Sequence, residues 1–326
     1  MNFAKKIPVP LAGVMLGTAA LGNLLQSPLL LGTANEAGVN PVGEALRTTC
    51  GVFASFMLIL ILCKLVFDWQ GVKEDLKNPI MLGVFATFPM GLMLLSTYWK
   101  PVIKGASAAL WFFAIALHVV LMIIFAMRFV VKFDLKKVFT TWFIMFCGIA
   151  VAGITAPAYE RQGDVGTVTF LFGIVCFFIL LVLVTIRTVK VPSPEPAKPL
   201  LSIYAAPLAL CMAAYVQSFT PKSLPFLKAL LVIELILYVI SLINAIICLA
   251  KRKFFPSWAA FTFPFVIAAI AVKQTMACAK NMEQPMPFLR PLVIVMTIIA
   301  ACFIVLVFVR FMMHIFAPAK QTPAQN

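Results

Sequence analysis

The chain has 326 residues, of which 63% are hydrophobic and only 11% charged, and its mean hydropathy is +1.05. An ordinary soluble domain carries roughly 25% charged residues, so the composition excludes one and specifies an all-α polytopic membrane protein. Alternating ten-residue strands of a β-barrel are absent, and the net charge of +15 reads as loops facing an anionic leaflet, with no nucleic-acid partner expected.

At about 20 residues per crossing, the apolar runs predict ten spans: 9–31, 45–67, 79–98, 105–131, 138–159, 164–188, 200–219, 225–249, 255–277 and 290–314. The amino end imitates a signal peptide (Lys5 and Lys6 before an apolar run) and is expected to remain as an uncleaved first span. The segments between spans are short: Gly32–Gly43, Asp68–Asn78 and the stiff linker Lys190–Lys198. A single membrane domain over 1–326 is therefore expected.

The odd and even spans differ in kind. The even ones have no proline within their apolar runs and read as straight Leu/Ile/Val/Phe helices. The odd ones carry Pro28, Pro89, Pro157, Pro207 and Pro264, with Gly13, Gly17, Gly148, Ser257 and Thr262 among their small and hydroxyl residues. Small residues let helix backbones approach closely. A proline within a helix leaves a carbonyl unpaired, which is tolerated at membrane depth only against protein or water. In Phe254–Lys273, Pro264 is expected to kink a continuous helix, crowded by Phe261, Phe263 and Phe265. Phe88-Pro89 repeats the Phe263-Pro264 dipeptide, so Phe88 and Pro89 are expected near the same constriction. A repeat of about 60 residues then gives five helical hairpins with quasi-five-fold symmetry. Their odd helices surround a central pore.

Most of the 26 basic residues fall at the termini and in the loops on their side, so both termini are expected in the cytoplasm. Eight cysteines, none in a CxxC pair, read as small buried hydrophobes; no metal site and no cofactor are expected. His118 and His314 are isolated, and no P-loop, HExxH or GxSxG occurs, so no enzyme activity is expected. Glu234, the one carboxylate deep inside a span, reads as a structural or subunit contact before a coupling-proton site. The odd spans hold no charge between their ends, while Lys273 marks a mouth. That pattern suits a weakly binding anion pathway.

Four segments, VPLAGVMLGTAALGN, TTWFIMFCGIAVAG, YAAPLALCMAAY and WAAFTFPFVIAAIA, resemble in order the first, fifth, seventh and ninth helices of the tellurite-resistance/dicarboxylate transporter family. That family includes the bacterial TehA proteins and the plant guard-cell slow anion channels. The resemblance implies a ten-helix fold of five hairpins in a bacterial inner membrane and a homotrimer with one pore per subunit. It also implies a phenylalanine plug in the ninth helix, at the position of Phe263. The long regulatory termini of the plant channels have no counterpart, so phosphorylation gating is not expected. The expected function is passive conduction of chloride, nitrate and similar small anions. The alternatives are proton-coupled malate transport or sulfite export within the family, or a membrane-embedded scaffold or enzyme outside it.

Overall fold

The computed structural model describes residues 3–27 and 40–317, and within them every regular element is helical. Pro28 and most of the Gly32–Gly43 loop lie outside the described residues. Eight helical stretches are long and apolar enough to cross a membrane, and the bent pair Thr141–Cys147 and Ala150–Tyr159, at 49°, makes up to nine. A shorter apolar helix, α1 (Leu11–Leu25), precedes them.

Two populations of helix separate by burial. The outer ones are α2 (Pro41–Phe67), α6 (Gly105–Phe125), α9 (Thr167–Lys190), α11 (Leu224–Ala250) and α13 (Leu289–Phe316). Between 28% and 39% of their apolar windows is buried, whereas the segments Pro79–Ile103, Glu195–Ser218 and Pro256–Asn281 are buried to 78–89%. The exposed Leu, Ile, Val and Phe side chains of the outer helices meet no cost against hydrocarbon, which is as apolar as a protein core.

The inner population is interrupted. Its members are α1, then α4 (Pro79–Phe85) with α5 (Thr87–Ile103), and α7 (Thr141–Cys147) with α8 (Ala150–Thr155). A 3-10 segment, Glu195–Ala205, leads into α10 (Pro207–Ser218), and a 3-10 turn, Pro256–Phe261, leads into α12 (Phe263–Asn281). Each inner member packs on the outer helix that follows it and on the inner members either side, and α12 closes back on α1.

Three expectations need correction. Pro264 does not kink a continuous helix: the chain breaks at Thr262, and Pro264 lies in the first turn of α12. There a missing N–H costs nothing, because first-turn donors have no partner within the helix. Pro207 begins α10 in the same way, and Pro89 falls in the first turn of α5. Pro157 sits in a terminal 3-10 turn, Ala156–Tyr159. The Asp68–Asn78 segment is not a plain loop either, since it folds a short helix, α3 (Trp69–Asp75). Lys64, 6% exposed, reaches Asp68 at 3.0 Å and Asp75 at 3.9 Å and anchors that helix to α2. Finally, the outer helices are not uniformly α-helical, because π-turns cover Ala126–Val130 and Gln162–Gly166.

The two described ends of the chain meet. The rings of Phe3 and Phe316 lie 5.5 Å apart, and Lys6 donates to the carbonyl of Ala317 at 2.6 Å.

Candidate functional site

The interruptions of the inner helices fall at Ala86, Gly148, Ala206 and Thr262, and they gather around one cavity. Pro10 and Gly13 line it from α1, Thr87 and Met90 from α5, and Phe143 and Ile144 from α7. Ala206, Pro207 and Leu210 line it from the start of α10; Ser257, Ala259, Ala260, Phe263 and Pro264 do so from the turn and first residues of α12. The cavity volume is about 40 Å³. Every inner member contributes to the wall, and no charged side chain does so among the described residues.

Broken helices concentrate here because the freed backbone groups need partners other than lipid. Neighbouring side chains supply some of them. Thr262 Oγ1 donates to the Ala259 and Gly13 carbonyls at 2.6 and 3.1 Å. Thr87 Oγ1 donates to Val84 O at 2.7 Å, and Ser257 Oγ donates to Pro196 O at 2.5 Å. The hydroxyl protons are thus committed to the backbone rather than turned toward the cavity. What remains is the direction of the helices. α1, α10 and α12 begin at this wall, so the positive ends of three helix dipoles lie at it. That field favours an anion without any buried ammonium or guanidinium.

Phe263 is 6% exposed and holds the first position of α12, on the cavity wall. Its backbone is fixed from behind by α1: a Cβ added to Gly17 would come within 2.8 Å of both Phe263 N and Thr262 Cβ. Gly13 is less tight, since an added Cβ would meet Ala259 Cβ at 3.4 Å. Phe261 is fully buried between the rings of Trp258 and Phe303, behind the wall. Phe88 is buried and stacks on Phe85, ring centroids 5.5 Å apart, while its neighbours Thr87 and Met90 line the cavity. A Cβ on Gly148 would collide with Ile144 O and lie 2.7 Å from Met90 Sδ, so this glycine also serves a close approach. Lys273 lies further along α12, in a second cleft with Lys280, Arg290 and Gln217, away from the first cavity.

Two isolated polar residues of the outer helices belong to the supporting wall. His118, fully buried, projects inward from outer helix α6; its Nε2 lies 3.0 Å from Met145 O, one turn before the interruption at Gly148. Glu234, also fully buried, projects inward from α11. Its carboxyl approaches the N–H of Ala209, in the first turn of α10, without completing a hydrogen bond. Both outer helices thus send a polar group to an interruption in an inner one. An apolar outer helix accepts Leu on every face, so only the isolated polar residue marks which side turns inward.

No curated protein matches the chain. The family described as "Voltage-dependent anion channel", SLAC1, matches residues 6–312, a span that takes in every inner and outer helix from α1 to most of α13. Together with the apolar helices and the uncharged cavity among their interruptions, this match assigns an integral membrane protein. The chain belongs to the SLAC1 family of voltage-dependent anion channels.

Proposed function

We propose that the chain conducts small monovalent anions, chloride and nitrate among them, passively along the axis of the inner helices. The observation that carries this reading is the uncharged cavity at which α1, α10 and α12 begin. A site that stabilises an anion by dipoles alone holds it weakly enough to release it, as conduction requires. Phe263 is the gate in this reading. A phenyl ring at the cavity wall obstructs by bulk and offers a passing ion no hydrating group, and a rotamer change moves it with little backbone motion.

The surrounding architecture follows the same reading. Ten crossings in five hairpins, with quasi-five-fold symmetry, fit the alternation of buried and exposed helices and the meeting of the two ends. The proposal places those ends in the cytoplasm of a bacterial cell, with the chain in its inner membrane and assembled as a homotrimer. Lys273 acts at the far mouth, where a half-buried cation raises the local anion concentration.

Glu234 gives one reason to keep a coupled carrier in view, since a buried carboxyl without a cation partner is what proton coupling uses. Anion flux into proteoliposomes with and without a pH gradient separates the two. Passive conduction gives nitrate flux that follows the anion gradient alone. Flux that collapses when the proton gradient is removed would replace the channel by a carrier.

A further inference from the structure

A third cleft, of about 100 Å³, opens beside the turn that starts α12, on its opposite side from the central cavity. Ser257, Ala259 and Ala260 of that turn face the central cavity, while Trp258 between them lines the cleft. Lys198, Lys251 and Lys253 line it as well, against a single carboxylate, Glu195. Lys253 pairs with Glu195 at 3.4 Å, but both are well exposed, so the pair is weak. Lys198 and Lys251 have no carboxylate within ion-pair distance among the described residues. Both line the same cleft, beside Cys248 and Asn244.

Trp258 adds an independent indication. It is 2% exposed, and its indole N–H has no acceptor among the described residues. A buried donor without an acceptor is costly; the Trp258 side chain lines a cleft that carries two ammonium groups outside any ion pair, and its N–H lies just beneath that surface. Every unsatisfied group is a donor or a cation, so the missing partner is an acceptor-rich anion. A tetrahedral phosphate offers oxygens in several directions at once, which suits donors arriving from the 3-10 segment, α11 and the turn. The basic side of a membrane protein is also where anionic headgroups collect.

We propose that Lys198, Lys251 and Trp258 form a binding site for a phosphate group, from a lipid headgroup or free in solution. Its occupancy holds the turn Pro256–Phe261. That turn is the root of α12: Trp258 packs on Phe261 at 5.8 Å, and Phe263 follows two residues later. A ligand on Trp258 therefore stiffens the backbone that aims Phe263. The consequence for gating rests on the proposed role of Phe263; binding itself does not.

Binding is tested without any flux measurement. The full chain is purified in detergent, and its thermal stability is followed with inorganic phosphate, then in phosphatidylcholine vesicles with and without phosphatidic acid. Hydrogen exchange across 256–262 is followed in parallel. Stabilisation by inorganic phosphate assigns a soluble ligand, and stabilisation by phosphatidic acid alone assigns a lipid headgroup. Either ligand is expected to slow exchange across the turn. In the Lys198→Gln/Lys251→Gln variant the response is lost, and in Trp258→Phe, which keeps the ring but not the N–H, the half-saturating concentration rises roughly tenfold. No response to either ligand, or an equal response in the double lysine variant, overturns the site. Stabilisation without slowed exchange across 256–262 overturns the link to the turn.

Discussion

Thr262 Oγ1 donates a hydrogen bond to Gly13 O at 3.1 Å across the junction of the first and last inner helices. The same hydroxyl bonds Ala259 O at 2.6 Å, so one buried side chain caps the turn before α12 and fastens it to α1. Thr262→Val keeps the shape and removes both bonds. We expect it to destabilise the protein by about 1–2 kcal/mol, read as a lower melting temperature in detergent, together with faster hydrogen exchange across 256–262. An unchanged melting temperature would mean that the junction is held by packing alone.

Gly17 sets how close α1 can come. Its added Cβ would sit 2.8 Å from the backbone N of Phe263, and backbone cannot move aside as a flexible side chain can. Gly17→Ala should therefore cost about 1–3 kcal/mol, the usual price of overpacking. Gly13→Ala, with its nearest contact at an ordinary 3.4 Å, should stay within about 0.5 kcal/mol of the parent protein. Melting curves of the two variants should rank in that order; the reverse order would contradict the close approach behind Phe263.

An uncharged cavity selects by the cost of removing water from the ion. Nitrate permeation at least equal to chloride is expected, with sulfate poor, because the wall offers few ligands in exchange for hydration. Bi-ionic reversal potentials give the series directly. Sulfate flux that matches chloride would require a dedicated dianion site that the lining residues do not provide. In the same recordings Lys273→Ala should lower conductance modestly and leave the anion series intact, as a mouth charge does. A switch to cation selectivity would make Lys273 the filter.

Glu234 tests whether a buried carboxyl moves protons or only supports a helix start. Its approach to the Ala209 N–H is a contact that an amide oxygen can also make. Glu234→Gln should then retain nitrate flux, with or without a pH gradient, and lose little stability. Glu234→Leu removes two buried oxygens that complete no hydrogen bond among the described residues and should cost less than about 1 kcal/mol. Loss of flux in a folded Glu234→Gln protein would point to proton coupling.

The contrast between inner and outer helices was legible in the sequence, because proline, glycine and hydroxyl residues cluster in alternate spans while Phe170–Ile186 and Leu292–Val309 read as plain lipid-facing helix. The position of each interruption was not. The chain breaks at Ala86, before Pro89, and at Gly148, where no proline stands; glycine and alanine mark such a break only once the neighbouring helices are in place. The roles of the hydroxyls were also hidden. Ser257 and Thr262 stand in the sequence as hydroxyl residues of an odd span, but their protons, like that of Thr87, serve backbone carbonyls. His118 and Glu234 could be found as isolated polar residues, yet which interruption each one meets depends on helix rotation, which hydrocarbon on one side and apolar core on the other leave unmarked. Lys251 and Lys253 read as loop charge, and only the fold of the 195–205 segment against them makes a cleft.

The central claim, that Phe263 closes an otherwise conducting axis, is tested most directly by anion current through reconstituted Phe263→Ala protein. Phe263 stands on the cavity wall, whereas Phe261, two residues earlier, is buried behind it. Truncating a packed core phenylalanine costs about 3–5 kcal/mol, so Phe261→Ala serves as the control for a purely structural effect. Folded Phe263→Ala protein should show a large rise in basal nitrate and chloride current over the parent, with Phe261→Ala changing it far less. A folded Phe263→Ala protein with the parent's current, or an equal rise in both variants, would contradict the account.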